Sequence, residues 1–150
     1  EIVYGFGPSF HYKGFDFSFF FQGVAKTSLF MSGLQPFGTM MENKNVQKFI
    51  ADDRWSPENQ NIFAEYPRLT IERSANNSTT STYWERNGAF LKLKNAEIGY
   101  TFKSMRLYLR GSNLLTFSKF KLWDPEQGGG NGLKYPTQRV FNIGFQMTIK

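Results

Sequence analysis

The sequence predicts an all-β chain whose antiparallel strands form part of a large transmembrane β-barrel. Three observations support this prediction. Apolar and polar residues alternate without interruption from Phe141 to Lys150, which is the period of a strand with one buried face. Very short turns and long loops alternate between the strands, as in outer-membrane barrels. The chain has 17 Phe in 150 residues but offers no obvious second layer to cover them.

We predict five strands, which are listed at the end of this paragraph. The first two form a hairpin with an almost entirely aromatic face, since every second residue from Phe15 to Phe21 is phenylalanine. Lys13 and Gly14 join them in a tight turn, because glycine adopts a positive φ without cost. The predicted strands lie at about residues 2–12, 15–24, 89–101, 105–116 and 138–150.

The third predicted strand changes its pattern half-way. Leu91 and Leu93 lie on one face, but from Ala96 to Phe102 the apolar residues occupy the opposite parity. A β-bulge near Lys94–Asn95 would return both halves to the same face. We therefore predict one extra residue at this point of the strand.

The connections predict a topology across the membrane. Short turns at 13–14 and 102–104 face the periplasm, and long loops at 25–88 and 117–137 face the outside. Within the longer loop, the spacing of Val46, Phe49 and Ile50 predicts a short helix in residues 42–53. Five strands cannot close a barrel, because the smallest have about eight. The chain is therefore not self-sufficient and needs partner strands to cover its open edges.

Arg106 and Arg110 fall on the polar face of the fourth predicted strand. We predict that this face lines the barrel lumen, because an arginine that faces lipid at mid-bilayer costs roughly 2–4 kcal/mol. The net charge of +6 comes from dispersed residues, with no basic run of the kind that binds nucleic acid. Solvated lumen and loop positions are the favoured interpretation of this charge.

Composition excludes several kinds of site. The sequence has no cysteine, and no apolar run approaches the ~20 residues that a transmembrane helix needs. His11 is the only histidine, so a multi-histidine metal site is excluded and no catalytic triad is evident. Neighbouring carboxylates such as Asp52 and Asp53 point apart and make a poor acid–base pair. We predict no enzymatic activity and no cofactor.

Asp124, Glu126 and Asn131 lie beside three consecutive glycines and could supply oxygen ligands to Ca²⁺. Their spacing matches no EF-hand loop, so an ordinary glycine-rich loop is the favoured interpretation. The chain opens with Glu1 in mid-strand and without an initiator methionine, and we expect it to be a fragment or a processed piece.

Several segments resemble one family. Residues 86–102 are similar to the "GxFLRLKNxxLGYT" segment of SusC/RagA-type TonB-dependent outer-membrane transporters, and residues 107–116 to that family's "LRxYxxGxNLLT". Asp124–Glu126 resembles its "DPE", residues 135–139 its "YPxxR", and residues 13–23 its "YKGFDLSxFFQG". The matches follow the family's order, and only the longest loop lacks one.

The resemblance implies a concrete function. Such transporters are large barrels that contain an N-terminal plug, and they import glycans, oligosaccharides or peptides across the outer membrane of Bacteroidetes-type bacteria. TonB supplies the energy through the N-terminal part, and a SusD-like lipoprotein usually covers the barrel from outside. This chain would be the C-terminal part of the barrel, without the plug. The family often ends on an aromatic residue, whereas this chain ends with Ile149–Lys150.

Four aromatic residues in or beside the loops are candidates for contact with a ligand or with the lid lipoprotein. They are Trp55, Tyr83, Trp84 and Trp123. Exposed aromatic rings stack on sugars or fill a partner's pockets. For Trp84 and Trp123, which lie at strand ends, the interfacial aromatic belt of a barrel is an equal alternative. Trp55 lies deep in the long loop, which favours loop packing or lid contact.

Two further functions stay open at this stage. A soluble β-sandwich that serves as a binding or adhesion module would show turns every 8–12 residues and a compensating apolar layer, and neither is evident. A TonB-dependent receptor for a metal chelate would share the barrel and differ only in its ligand, which this part of the chain does not identify.

Overall fold

The computed structural model describes residues 1–31, 45–72 and 74–149, and strands dominate these ranges. The strands are β1 (Ile2–Phe6), β2 (Ser9–Tyr12), β3 (Phe15–Ala25), β4 (Ser28–Phe30), β5 (Glu85–Asn87), β6 (Phe90–Phe102), β7 (Met105–Ser118) and β8 (Val140–Met147). The helices are α1 (Lys48–Asp52), α2 (Ala75–Ser78) and 3₁₀ turns at Thr82–Trp84 and Pro125–Gln127.

The main sheet is antiparallel, in the order β1-β3-β6-β7-β8, and β2 also pairs with β3. β1 and β2 follow one another along the same edge of β3, and β8 forms the opposite edge. β4 and β5 make a separate two-stranded sheet. The chain divides into a sheet unit (1–28, 87–128, 135–150) and a loop unit (29–86, 129–134).

The prediction of one continuous strand at 2–12 is wrong, because it is interrupted at Gly7–Pro8. Pro8 has no N–H to donate to the neighbouring strand. A Cβ on Gly7 would lie 2.5 Å from the carbonyl oxygen of Phe19, so the backbones approach closely here. The prediction of strand up to Lys150 is also too long: β8 ends at Met147, whose partner Met105 begins β7. Lys150 itself lies outside the described residues.

The two short turns lie at the same end of the sheet. Lys13 and Gly14 have φ of 46° and 86°, and Lys103 has φ of 53°. Positive φ at both central residues of the 13–14 turn matches the twist of the strands that it joins. The backbone N–H of Thr101 donates to the carbonyl of Gly14 over 2.7 Å. This bond ties the first turn to the end of β6, beside the second turn.

The predicted bulge in β6 is confirmed. Opposite β3, Phe20 pairs with Asn95 and Phe21 with Leu93, so Lys94 is the extra residue. Opposite β7, the register also shifts between Leu93 and Asn95, and Asn113 of β7 adopts a φ of 54°. Because of this insertion, the leucines before the bulge share a face with the apolar residues after it.

The sheet therefore has one apolar and one polar face. The apolar face is exposed across all its strands, and Ile143 is 80% exposed. It carries Tyr4, Phe6, Phe10, Phe15, Phe17, Leu91, Ile98, Tyr100, Leu107, Leu109, Phe117, Phe141, Ile143 and Phe145. The polar face carries His11, Asp16, Ser18, Gln22, Lys92, Asn95, Glu97, Thr101, Arg106, Tyr108, Arg110, Thr116, Asn142 and Gln146.

The loop unit contains most of the buried apolar residues of the described ranges. Leu29, Met31, Ile50, Tyr66 and Trp84 are each at most 6% exposed. The predicted helix within 42–53 corresponds to α1, although residues 42–44 lie outside the described residues. None of the helices in the described ranges has the length and apolar character needed to cross a lipid bilayer.

Candidate functional site

A charged network crosses three strands of the polar face near the short turns. Arg106 of β7 donates from Nε to Asp16 Oδ1 of β3 over 3.0 Å, and its terminal nitrogen also contacts the second oxygen of that carboxylate. The same nitrogen donates to Glu97 Oε1 of β6 over 2.7 Å. Gly99 lies opposite Asp16 and leaves the room for this contact, since a Cβ there would lie 2.7 Å from both partners. One guanidinium thus links β3, β6 and β7.

Arg110 lies on the same face and pairs in register with Glu97. Its side chain is exposed. The two arginines therefore share the polar face with Asp16 and Glu97, and the ion pairs run from these carboxylates to Arg106. Their assignment to a barrel lumen stays a prediction.

The opposite end of the polar face holds a second charged group, which we call the lysine–carboxylate cluster: Lys92, Lys94, Asp124 and Glu126. Lys92 is 1% exposed and is the only buried charged residue in the part of the chain that the structure describes. Its Nζ lies 2.5 Å from Asp124 Oδ2 and 2.6 Å from Glu126 Oε2. Lys94 Nζ lies 2.6 Å from Glu126 Oε1.

Local capping explains how the loop presents these two carboxylates. Asp124 precedes the 3₁₀ turn Pro125–Gln127, and its side chain accepts a hydrogen bond from the backbone N–H of Glu126 over 3.1 Å. Proline suits the first position of such a turn because its φ is already set and no N–H is lost. Aspartate at the cap and proline after it therefore fix the direction in which both acids point.

An aromatic pair that precedes this turn in the sequence helps to hold it in place. Trp123 packs edge-on against Phe120, with ring centroids 4.6 Å apart. Its indole N–H donates to the carbonyl of Gly128 over 2.9 Å, so it spans the 3₁₀ turn. Ser118 Oγ accepts from the N–H of Phe120 over 3.1 Å and donates to the carbonyl of Ala89 over 2.9 Å. These bonds attach the loop to the strand ends independently of Lys92 and Lys94.

The lysines change the acidity of the loop carboxylates. Burial alone raises the pKa of Asp124, but the hydrogen bonds from Lys92 and from the backbone outweigh it and hold that pKa below its usual value. Burial likewise raises the pKa of Glu126, and the hydrogen bonds from Lys92 and Lys94 bring it below its usual value. Both carboxylates are therefore ionised and charge-compensated at neutral pH.

This pairing disfavours the calcium site considered for Asp124, Glu126 and Asn131. Two ammonium groups already occupy the carboxylate oxygens that a cation would need. Asn131 uses its side-chain oxygen to accept from the backbone N–H of Leu133. Within residues 1–31, 45–72 and 74–149, no three acidic or histidine side chains come together as metal ligands would.

The comparisons with known proteins are consistent with the two-faced sheet. TonB-dependent receptor P26 of Formosa agariphila is 29% identical over 176 residues, which cover 99% of this chain and 17% of that receptor. TonB-dependent receptor SusC of Bacteroides thetaiotaomicron is 24% identical over 159 residues, with 98% and 15% covered. The chain thus spans about one sixth of the length of the curated relatives it matches. No family model matches the sequence.

Two solved structures share the fold. The RagAB peptide transporter has a TM-score of 0.74 at 23% identity, with 95% of this chain and 17% of that chain covered. The RagAB peptide importer in its closed-closed state has a TM-score of 0.75 at 24% identity, with 97% and 17% covered. The chain fits a C-terminal fragment of a SusC/RagA-type receptor. Its antiparallel strands are consistent with part of that receptor's barrel.

Of the four aromatic candidates, Trp84 is the one whose burial argues against contact with a ligand or with the lid lipoprotein. Its ring is 3% exposed, and its indole N–H donates to the carbonyl of Asn77 over 3.0 Å. Stacking on a ligand and contact with lipid head groups both need an accessible ring. The structure instead shows Trp84 as a packing residue of the loop unit.

The other three aromatic candidates are at least partly accessible. Tyr83 is 45% exposed and donates its hydroxyl to the carbonyl of Glu65 over 2.9 Å. Trp55 and Trp123 are half-buried. The backbone N–H of Trp55 donates to the carbonyl of Tyr66 over 3.0 Å, which places it at the crossing of two loop segments. A ligand or lid contact for these residues stays a prediction.

Proposed function

We propose that this chain forms part of the wall of a TonB-dependent outer-membrane importer, which takes up glycans, oligosaccharides or peptides and carries out no catalysis. The observation that carries the proposal is the exposed apolar face of the sheet, opposite a polar face with cross-strand ion pairs. The similarity to TonB-dependent receptors supports the same conclusion.

The apolar face is too extensive to be left in water. Large aromatic and aliphatic side chains cover it from β1 to β8, and many are more than 40% exposed. Contiguous apolar patches of more than a few hundred Å² mark membrane or protein contact. Lipid covers such a face without a second protein layer, whereas a soluble β-sandwich would need a second sheet. The only other sheet in the described ranges is the two-stranded β4–β5 pair, which has too few strands to form the second layer of a sandwich.

The proposed importer places each end of the sheet in a different compartment. The short turns face the periplasm, and the long loops that contain Trp55, Tyr83 and Trp123 face the outside, where a SusD-like lipoprotein covers the barrel. The remainder of the barrel supplies strands to the open edges at β1, β2 and β8. The plug and the segment that contacts TonB belong to the rest of the receptor.

A pair of arginine substitutions tests this placement in the complete receptor. Leu109→Arg puts a charge on the apolar face, opposite Ile98 and Ile143 in register. Ser18→Arg puts the same charge on the polar face, opposite Glu97. We expect Leu109→Arg to destabilise the barrel by about 2–4 kcal/mol and to lower its amount in outer membranes. Ser18→Arg should leave that amount unchanged.

Extraction completes the test. The native species should need detergent and should co-purify with a much larger barrel and an outer lipoprotein. Uptake of labelled oligosaccharides or peptides by intact cells should depend on TonB. A folded monomer in plain buffer that tolerates Leu109→Arg would overturn the proposal and favour the soluble β-sandwich.

A further inference from the structure

The loop unit contains a cleft of about 310 Å³ that no part of the proposed function uses. One wall is α2 together with the turn that follows it. The other wall is formed by Tyr83 and Trp84. Ligand sites in proteins begin at about this volume, and they combine aromatic walls with a few well-placed polar groups.

The aromatic wall is held in place before any ligand arrives. Trp84 is buried and bonded to the carbonyl of Asn77 in α2. Tyr83 packs edge-on against it, with ring centroids 4.9 Å apart at 87°. The Tyr83 hydroxyl donates to the carbonyl of Glu65, so the exposed ring is fixed at both ends. A wall of this kind loses little conformational entropy on binding.

The helical wall is fixed as well. Ser74 caps α2 by accepting a hydrogen bond from the N–H of Asn77 over 3.4 Å. Thr79 donates its hydroxyl to the carbonyl of Ala75 over 2.9 Å and closes the other end. These bonds hold the residues of α2 that line the cleft in one arrangement.

The polar groups of the described lining residues are uncharged. Its described residues include the side-chain amides of Asn76 and Asn77 and the hydroxyls of Thr79 and Ser81, and no Lys, Arg, Asp or Glu is among them. A charged ligand would lose its hydration here without gaining an opposite charge. Amides and hydroxyls both donate and accept hydrogen bonds, which matches a ligand made of neutral hydroxyl groups. The exposed face of Tyr83 suits the apolar face of a sugar ring.

We propose that this cleft binds one ring of a neutral saccharide, with Tyr83 as the stacking surface and Asn76 as a hydrogen-bonding partner. The proposal rests on the proposed importer function and gives it a substrate class. It favours glycans over peptides, because a peptide brings charged termini or side chains for which the described lining has no partner.

The test measures binding to the complete receptor, purified in detergent, by isothermal titration calorimetry. The ligands are maltose, cellobiose, lactose and triglycine. We expect at least one disaccharide to bind and triglycine not to bind. Tyr83→Ala and Asn76→Leu should each weaken saccharide binding at least tenfold. Phe63→Ala is the matched control, since Phe63 is an 86% exposed aromatic of the same loop unit outside the cleft lining.

A second aromatic variant separates ring stacking from loop folding. Tyr83→Phe keeps the ring and should retain most of the binding. Asn76→Leu changes an exposed helical position and leaves the Tyr83–Trp84 pair intact. Absence of binding for all three disaccharides at millimolar concentration, or unchanged binding in both Tyr83→Ala and Asn76→Leu, would overturn the proposal.

The two proposals fail in different ways. A receptor that needs detergent and imports its substrate but binds no neutral saccharide would refute only the cleft. A chain that binds saccharide at the cleft but folds in plain buffer would refute only the membrane importer.

Discussion

Replacing Lys92 with methionine should release the loop that carries Asp124 and Glu126. Methionine has a similar length, so it fills the space of the lysine stem without a charge. The change leaves Asp124 without its ammonium partner and Glu126 with only Lys94. Both carboxylates then repel each other in a partly dry site.

The magnitude follows from the burial of the partners. Removing one member of a buried ion pair costs roughly 3–5 kcal/mol, because the other charge stays buried without compensation. Asp124 and Glu126 are 18% and 29% exposed, so water relieves part of this cost. We therefore expect about 3 kcal/mol, the lower limit of that range. Since about 1.4 kcal/mol is a factor of ten in an equilibrium constant, the equilibrium constant for opening of the loop should rise roughly 150-fold.

Hydrogen–deuterium exchange of the complete receptor in detergent measures this opening locally, while the barrel stays folded. The amides of Gln127 and Gly128 report on the loop, because they donate within the 3₁₀ turn to Asp124 and Pro125. Their protection should fall about 150-fold in Lys92→Met. Protection in β6 and β7 away from the cluster should not change.

Two further variants make the interpretation specific. Lys94→Met removes a more exposed lysine with a single carboxylate contact, so it should cost less than about 1 kcal/mol. Adding Asp124→Asn and Glu126→Gln to Lys92→Met should restore most of the protection, because no buried charge is then left unpaired. If Lys92→Met and Lys94→Met changed protection equally, or if neither changed it, the argument from the buried charge would be wrong.

Three other predictions use the same receptor. Acidification should loosen the loop, because the pKa values of Asp124 and Glu126 lie below their usual values in the folded state. Their contribution to stability is present at neutral pH and is lost as the pH falls through these lowered pKa values. Hydrogen exchange corrected for intrinsic rates checks this. Gly144→Ala should lower the free energy of unfolding by about 1–3 kcal/mol, since its Cβ would lie 2.1 Å from Cζ of Tyr108. In thermal unfolding, the double variant with Tyr108→Ala should lose less stability than the sum of the two single variants. Arg106→Met should lower the unfolding temperature more than Arg106→Lys, because lysine keeps the charge but not the planar fork.

Periodicity within a strand predicts the faces of this sheet well, because it is a local property of the chain. The parity change in β6 alone indicates the bulge, since an uninterrupted strand would carry Leu91 and Leu93 on the polar face. The break at Gly7–Pro8 was not predicted, although Pro8 itself was a sufficient signal: proline removes a donor from the pairing. The end of β8 depends on where its partner β7 begins, which its own alternation does not contain.

Contacts between distant segments explain what the sequence did not predict. Lys92 finds its partners 32 and 34 residues away, and no spacing rule links them. The available signal was charge complementarity between two lysines of one strand and the acids of Asp124–Glu126. The burial of Trp84 depends likewise on the carbonyl of Asn77, a backbone atom that has no sequence signature.

The extra residue at Lys94 determines where this chain tolerates changes of length. Deletion of that residue would shift the phase of β6 on one side of it, so that Lys92 would turn toward the apolar face of the sheet and Leu91 toward the polar face. The long loops can gain or lose residues at a small entropic cost. Across homologous receptors we therefore expect insertions and deletions to concentrate in the loops and to avoid this single position. Here one residue determines which face the side chains of half a strand occupy.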